Sequence, residues 1–245
     1  MTATTLREVG AYYTAEGSTL VLPKEWRGDG TVMGLVYVHG ATQTDAQVLD
    51  STTYPAIVDI MRSVAAAGWP VLSIYAGGDQ WGNATAMARM ASAKTYLQST
   101  VGAKAGKIGL IGGSMGGLTV QNYAQANPSS VAVVVGLVPV SDVSDFVTNN
   151  RGGLASSINT AYSTWNEGTM GATYNPHTYA SGGNLAACHY KCWYGASDTI
   201  VIPSTVTDVA SAAGTTAVSC VGDHNSSLNS VTIADVVTHI RTYAT

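Results

Sequence analysis

Short runs of β-branched and aliphatic residues alternate along most of this chain with longer stretches whose apolar positions recur every three or four residues. The first kind suits strands and the second amphipathic helices. Val9–Thr14 and Ser18–Leu22, split by Ala15-Glu16-Gly17, read as a hairpin of edge strands. Val32–Val38 is the next strand and ends at His39-Gly40. Pro55 opens a helix with Ile57, Ile60, Met61 and Val64 on one face, and Gly68 closes it. Trp69–Tyr75 returns as a strand, and Ala84–Val101 as a helix with Asn83 as its cap. Lys107–Ile111 is a strand, followed by a helix carrying Leu118, Val120, Tyr123 and Ala124 that Asn127-Pro128 stops. Val131–Val138, continuous and β-branched, suits a strand buried on both faces. Further on come a strand over Cys188–Tyr194, a helix from Pro203 to Ala213, a strand over Thr216–Val221, and a last helix on Ile233, Val236, Val237 and Ile240. Such alternation predicts an α/β fold: a mostly parallel sheet with helices on both faces.

Residues 142–187 break the rhythm. They are rich in Gly, Ser, Thr and Asn, and only Leu154–Trp165 shows weak helical periodicity. A long excursion inside a compact domain is usually functional, so the segment is expected to form a cap or lid, against the alternative of a surface insertion without a catalytic role. The whole chain, 1–245, is expected to be one domain, since 245 residues with 46% apolar content can bury a sizeable core.

Composition narrows the function. Charged residues make up 11% of the chain, against roughly 25% in an average soluble protein, so the surface should be neutral and rich in hydroxyls. A net charge of -4 without any Lys/Arg run excludes a phosphate-collecting stripe, and nucleic acid is not an expected partner. The longest apolar stretch, Val131–Val140, is about half of what a membrane-spanning helix requires, so no transmembrane segment is expected. The N-terminus lacks the charged-then-apolar order of a secretory signal, which leaves localisation and oligomeric state open. Cys188 and Cys192, four apart in an expected strand, would stand about 13 Å apart and could not bridge. Cys220 could pair with either, although buried free thiols are the simpler reading, and the spacing disfavours a metal site.

The chemistry centres on Gly112-Gly-Ser-Met-Gly-Gly117, a Gly-x-Ser-x-Gly pentapeptide placed between a strand and a helix. A sharp turn there would strain the backbone at Ser114, need glycine at 112 and 116 for close packing, and push the hydroxyl out of the sheet. A serine hydroxyl needs an imidazole to take its proton and a carboxylate to hold that imidazole. His224, directly after the last strand, stands at the same sheet end as Ser114, where ligand crevices of open parallel sheets lie. His189 reads as a packed strand residue, His239 as part of a solvated helix face, His177 as a lid residue, and His39 as a pocket-shaping residue at a strand end. Asp198, past a strand end and upstream of His224, is the preferred acid, with Asp142 second and Asp223 read as a turn residue. The backbone N–H of Met115 and that of Ala41 are the expected oxyanion donors, with Thr42 as the fallback. Trp81, Trp165, Met170, Tyr174 and Tyr179 could line a pocket or simply pack the cap onto the body.

The His39-Gly40 loop, the elbow at 112–117, Gly195-x-x-Asp198 and Gly222-Asp-His224 occur in the order and rough spacing of the α/β-hydrolase superfamily, which residues 30–243 resemble. The likeness is to compact carboxylesterases and dienelactone-hydrolase-like members. It implies an eight-stranded sheet, no cofactor, and an acyl-enzyme mechanism in which Ser114 attacks, His224 moves the proton and Asp198 orients it, with Met115 and Ala41 as donors. The substrate would be a small-molecule or polymer-borne ester, in a lipid or an acylated cell-surface glycan. A non-catalytic binding or structural module on the same fold is the alternative class, and peptidase, thioesterase or lactonase are alternatives among enzymes. Low charge and 13 Tyr with one Phe also resemble the composition of bacteriophage virion enzymes and appended tail domains.

Overall fold

The computed structural model describes residues 17–244. Among these residues seven strands form one sheet, where the resemblance implies eight: β1 (Ser18–Val21), β2 (Leu35–Val38), β3 (Val71–Ile74), β4 (Ile108–Gly113), β5 (Val131–Leu137), β6 (Tyr190–Gly195) and β7 (Val218–Cys220), in the order β1-β3-β2-β4-β5-β6-β7. β1 runs antiparallel to β3, and every other pairing is parallel. Val9–Thr14, the expected hairpin partner of β1, lies outside the described residues. Successive strand residues point to opposite faces. Val36, Val38, Leu110 and Val134 enter one core, whereas Leu35, Tyr37, Ile111, Val133 and Val135 enter the other.

Helices α1 (Pro55–Ala66), α2 (Ala84–Ser99) and α3 (Met115–Ala126) follow β2, β3 and β4. Ile57, Ile60, Met61 and Val64 are buried as the periodicity of α1 predicts, and the Asn83 side chain accepts from the N–H groups of Thr85 and Ala86 to cap α2. The chain passes from β2 outward to β3 and then returns across β2 to β4. The crevice at the carboxyl ends of β2 and β4 is therefore the topological switch point of the sheet.

Residues 142–187 are more helical than their composition suggests. They form α4 (Val143–Thr148), α5 (Ala155–Ala161), α6 (Glu167–Tyr174), α7 (Pro176–Tyr179) and α8 (Asn184–Ala187). Little helical periodicity is needed because side chains bond the free backbone groups at the helix ends. Asp142 accepts from the N–H groups of Ser144 and Asp145, Asn150 from Ala155, Asn159 from Trp165, and the buried Asn175 from Val143. Glu167 ties the cluster together, accepting from Ser144 Oγ at 2.6 Å, Asn175 Nδ2 at 3.0 Å and Thr178 Oγ1. Burial raises its pKa, and these three bonds outweigh burial, so the carboxyl stays below its ordinary value.

After α8 the chain turns before becoming a strand, so Cys188 and His189 precede β6 rather than belong to it. His189 holds a left-handed φ of 49° there and stacks on Tyr243 at 3.8 Å. The in-strand distance between Cys188 and Cys192 therefore does not apply, yet Cys188, Cys192 and Cys220 are all free and buried. α9 (Pro203–Ala212) and α10 (Ile233–Tyr243) complete the layers. His239 on α10 is half-buried rather than solvated: its Nε2 donates to the His189 carbonyl at 2.8 Å.

The tightest contact in the body lies between α3 and β2. A Cβ on Gly116 would stand 2.0 Å from the Val38 carbonyl oxygen, and one on Gly112 would stand 2.3 Å from the Gly116 carbonyl oxygen. Gly116→Ala would have to force helix and strand apart, and should lower stability by about 3 kcal/mol in urea unfolding. A loss under about 0.5 kcal/mol would show that this approach is not constrained.

Candidate active site

Ser114 occupies the turn between β4 and α3 with φ 49° and ψ -115°, a conformation costly for a residue bearing a Cβ. Backbone bonds hold it there. Its N–H donates to the Leu137 carbonyl at 2.9 Å, and its own carbonyl accepts from Val140 at 3.0 Å. From Ile108 to Ala124, Ser114 alone is not buried. The turn thus pushes one hydroxyl out of an otherwise closed strand and helix.

The loops after β6 and β7 approach the same point. Ser197 N–H donates to the Gly222 carbonyl at 3.0 Å and Ala196 N–H to that of Cys220 at 2.8 Å, joining the two loops by their backbones. Asp198 Oδ1 accepts from the N–H groups of Ile200 at 2.8 Å and Val201 at 2.9 Å. Its Oδ2 lies 2.7 Å from His224 Nδ1, and His224 Nε2 lies 2.9 Å from Ser114 Oγ. The Asp198 carboxylate can only accept, so Nδ1 carries the proton and the Nε2 lone pair faces the serine hydroxyl. The side chains of Asp198 and His224 are 1% and 13% exposed, so solvent screens little of the attraction between a carboxylate and an imidazolium formed there.

The other acids are engaged elsewhere. Asp142 Oδ1 caps α4 and also accepts from Asn175 Nδ2 at 3.1 Å. Asp223 accepts from the backbone N–H groups of Asn225 and Ser226 and from Ser226 Oγ, which makes it a turn residue and holds its carboxyl below the ordinary range.

The loop after β2 lies against Ser114, since a Cβ on Gly40 would stand 3.5 Å from Ser114 Cβ. Gly40 N–H donates to Gln43 Oε1 at 2.9 Å, and Thr42, with φ 63°, donates its N–H to Asp79 Oδ1 at 2.7 Å. The fallback donor is therefore occupied. Met115, first in α3, has no acceptor within its own helix, as is general for first-turn N–H groups. Asp79 and Gln43 are the residues that sequence reading passed over. The signal for Asp79 is its place after the end of β3, directly behind Gly77-Gly78.

His39 is fully buried and stacks on Tyr75 at 5.8 Å. Its Nδ1 donates to the Gly40 carbonyl at 2.7 Å, while Nε2 has no hydrogen-bond partner among the described residues. His177 sits between the 142–187 segment and α9, each ring nitrogen 3.8 Å from a carboxylate, Asp142 on one side and Asp208 on the other. The aromatic side chains mostly pack residues 142–187 onto one another and onto neighbouring elements. Trp81, 1% exposed, donates to Ser157 Oγ at 2.8 Å and packs on Phe146, and its carbonyl accepts from Tyr162 OH at 2.5 Å. Tyr162 meets Trp165 edge-on at 4.9 Å and Tyr174 at 5.3 Å. Tyr179 OH donates to Asn122 Oδ1 at 2.7 Å, joining α7 to α3.

A strained serine at the β4–α3 elbow, facing an imidazole and a buried carboxylate at the switch point of a mostly parallel sheet, is the architecture of the α/β-hydrolase fold, and this chain has that fold. Solved structures agree. A thermostable esterase from Pseudomonas putida superposes with a TM-score of 0.67 at 15% identity, over 98% of this chain and 83% of that one. An S-formylglutathione hydrolase from Agrobacterium tumefaciens gives 0.67 at 14% identity, over 94% and 90%. The fluorophosphonate-binding serine hydrolase FphF from Staphylococcus aureus gives 0.68 at 16% identity, over 91% of each chain. No protein-family model and no curated protein matches the chain. The comparisons lend no support to the compositional likeness to phage virion enzymes. Among the described residues no helix is long and apolar enough to cross a membrane, and no group of three or more His, Cys, Asp or Glu is placed to hold a metal.

Burial lowers the pKa of His39, more than its Gly40 bond and the nearby Asp79 and Asp45 carboxylates raise it. As pH falls below the ordinary histidine value, the unfolded chain takes up a proton that the folded chain refuses, and stability falls with pH. The melting temperature should therefore drop between pH 7 and pH 5. His39→Asn, which can keep the donor to Gly40 without titrating, should make the drop shallower, and an unchanged slope would remove His39 as a contributor.

Proposed function

We propose that this protein is a cofactor-independent serine esterase that works through an acyl-enzyme. The observation that carries the reading is the continuous relay from Asp198 Oδ2 through His224 to Ser114 Oγ, with bonds of 2.7 and 2.9 Å. In the first half-reaction His224 Nε2 takes the serine proton as Oγ bonds to the acyl carbon, and Asp198 stabilises the imidazolium. The tetrahedral oxyanion accepts hydrogen bonds from Met115 N–H and Ala41 N–H. The imidazolium then protonates the leaving alkoxide as the ester bond breaks. Water, deprotonated by the same nitrogen, attacks the acyl-enzyme and releases the acid and Ser114. The fold shared with esterases and serine hydrolases supports the class. A relay with its tautomer set and its serine partly exposed favours an enzyme over a binding module of the same fold. We assign the substrate as an uncharged ester, borne by a lipid or an acylated cell-surface glycan, on the strength of the neutral, hydroxyl-rich composition.

Ser114→Ala should lower kcat on short p-nitrophenyl esters by at least about 10³-fold, with an unchanged melting temperature and no labelling by a fluorophosphonate probe. Hydrolysis by that variant at the wild-type rate would falsify the assignment. Asp198→Asn should reduce kcat by about 10³- to 10⁴-fold, because the amide stabilises the wrong tautomer and cannot balance an imidazolium. Rates across ester chain length, set beside acetate release from acetylated polysaccharide, check the substrate class. Exclusive turnover of anionic esters would overturn it.

A further inference from the structure

We infer that Asp79 is a positioning residue for the oxyanion loop: by holding Thr42 N–H, it aims the preceding Ala41 N–H at the reacting carbonyl. The inference rests on the esterase reading and names a residue outside the relay.

The loop after β2 has to satisfy two opposed demands. It must run close against Ser114, and it must leave one N–H unpaired and turned toward the crevice. Left to itself, a non-glycine residue does not hold a positive φ, yet Thr42 has φ 63°. What compensates is a bond from its N–H to Asp79 Oδ1 at 2.7 Å, within the range of charge-assisted hydrogen bonds. On the other side of Ala41, Gly40 N–H is held by Gln43 Oε1 at 2.9 Å, and the Gly40 carbonyl by His39 Nδ1 at 2.7 Å. The Gly40 carbonyl and the Thr42 N–H, one in each peptide unit flanking Ala41, are thus both held, while the Ala41 N–H, in the first of these units, has no acceptor among the described residues and is left for a ligand.

Asp79 itself is well anchored. It stands at the tip of a loop whose Gly77 and Gly78 have φ of 92° and 81°. Gln80 closes that loop, its Nε2 donating to the Gly77 carbonyl at 2.8 Å and its N–H to that of Gly78 at 2.8 Å. Beyond it, Asn83 Nδ2 donates to Gln80 Oε1 at 3.0 Å and to the Ala161 carbonyl of α5 at 2.7 Å, and Trp81 Nε1 donates to Ser157 of α5. The carboxylate is therefore mounted on an arm that is fastened to the cap at its far end and reaches the oxyanion loop at its tip. Preorganised donors stabilise a developing oxyanion because they need not reorient during the reaction, and a rigid acceptor behind the loop supplies that preorganisation.

The test compares Asp79→Ala and Asp79→Asn with wild type, measuring kcat and KM on a short p-nitrophenyl ester and the inhibition constant of a trifluoromethyl ketone, whose adduct with a serine carries an oxyanion. Asp79→Ala should lose about 10- to 100-fold in kcat with KM within about threefold, and should bind the ketone more weakly by a similar factor. Asp79→Asn, whose amide oxygen accepts the same N–H, should recover most of both losses. Wild-type kcat in Asp79→Ala, a loss confined to KM, or equal impairment in the two variants would overturn the inference. Should Asp79→Ala fail to fold, Asp79→Glu serves instead: its longer arm displaces the acceptor, so kcat should fall, and wild-type kcat overturns the inference. Ser114→Ala run in parallel separates the two levels. If it is inactive while Asp79→Ala is fully active, only the role of Asp79 fails; if it too is fully active, the esterase reading fails.

Discussion

The close approach of α3 to the end of β2 is the constraint on which the rest of the site depends. Gly116 lies so near the Val38 and His39 carbonyl oxygens that no Cβ fits, and Gly112 lies equally near the Gly116 carbonyl. With that space gone, the chain can leave β4 and enter α3 only by a turn that forces Ser114 to φ 49°. Strain at one residue is tolerated because the Leu137 carbonyl and the Val140 N–H over-determine its position. The same contact brings the loop after β2 against Ser114, so that loop and the serine hydroxyl are placed by a single packing event.

Around that elbow the polar groups divide into those that face Ser114 and those that hold others in place. Asp198 is nearly inaccessible and its second oxygen is bonded by two backbone N–H groups, which leaves the first free to orient His224. Asp142, Asp223 and Glu167 carry the same functional group but bond helix ends, turns and cap side chains instead. Asp142 and Asp223 likewise give one oxygen to local backbone N–H groups, but only Asp198 brings its other oxygen to His224, 2.7 Å from Nδ1, and this contact separates it from its rivals more firmly than position along the chain does.

The sheet and its flanking helices were legible because their cause is periodic. The face of α1, the continuous burial of β5 and the elbow each follow from spacing, and their ends fall within a few residues of the expected ones. The helices of residues 142–187 were not legible. They are short, and what stabilises them is a set of Asp, Asn and Glu bonds between segments, such as Asn175 with Val143 and Glu167 with Ser144, which no local pattern announces. The turn at His189 escaped for a related reason: a neighbourhood of aromatic residues and cysteines suggests strand, whereas stacking on Tyr243 and the bond from His239 are tertiary.

By itself the sequence determined the α/β alternation, the strand-turn-helix corner at Ser114, and the placement of an acid and a base after successive strand ends, because each depends on periodicity or on glycine and needs only nearby residues. Tertiary structure alone decided which carboxylate meets His224, that Thr42 is bonded to Asp79 while Ala41 is not, and that the aromatics of residues 142–187 pack on one another and on neighbouring elements. Those outcomes depend on which groups from distant segments compete for the same hydrogen bond or the same buried volume. That competition is resolved only when the sheet closes and the loops meet.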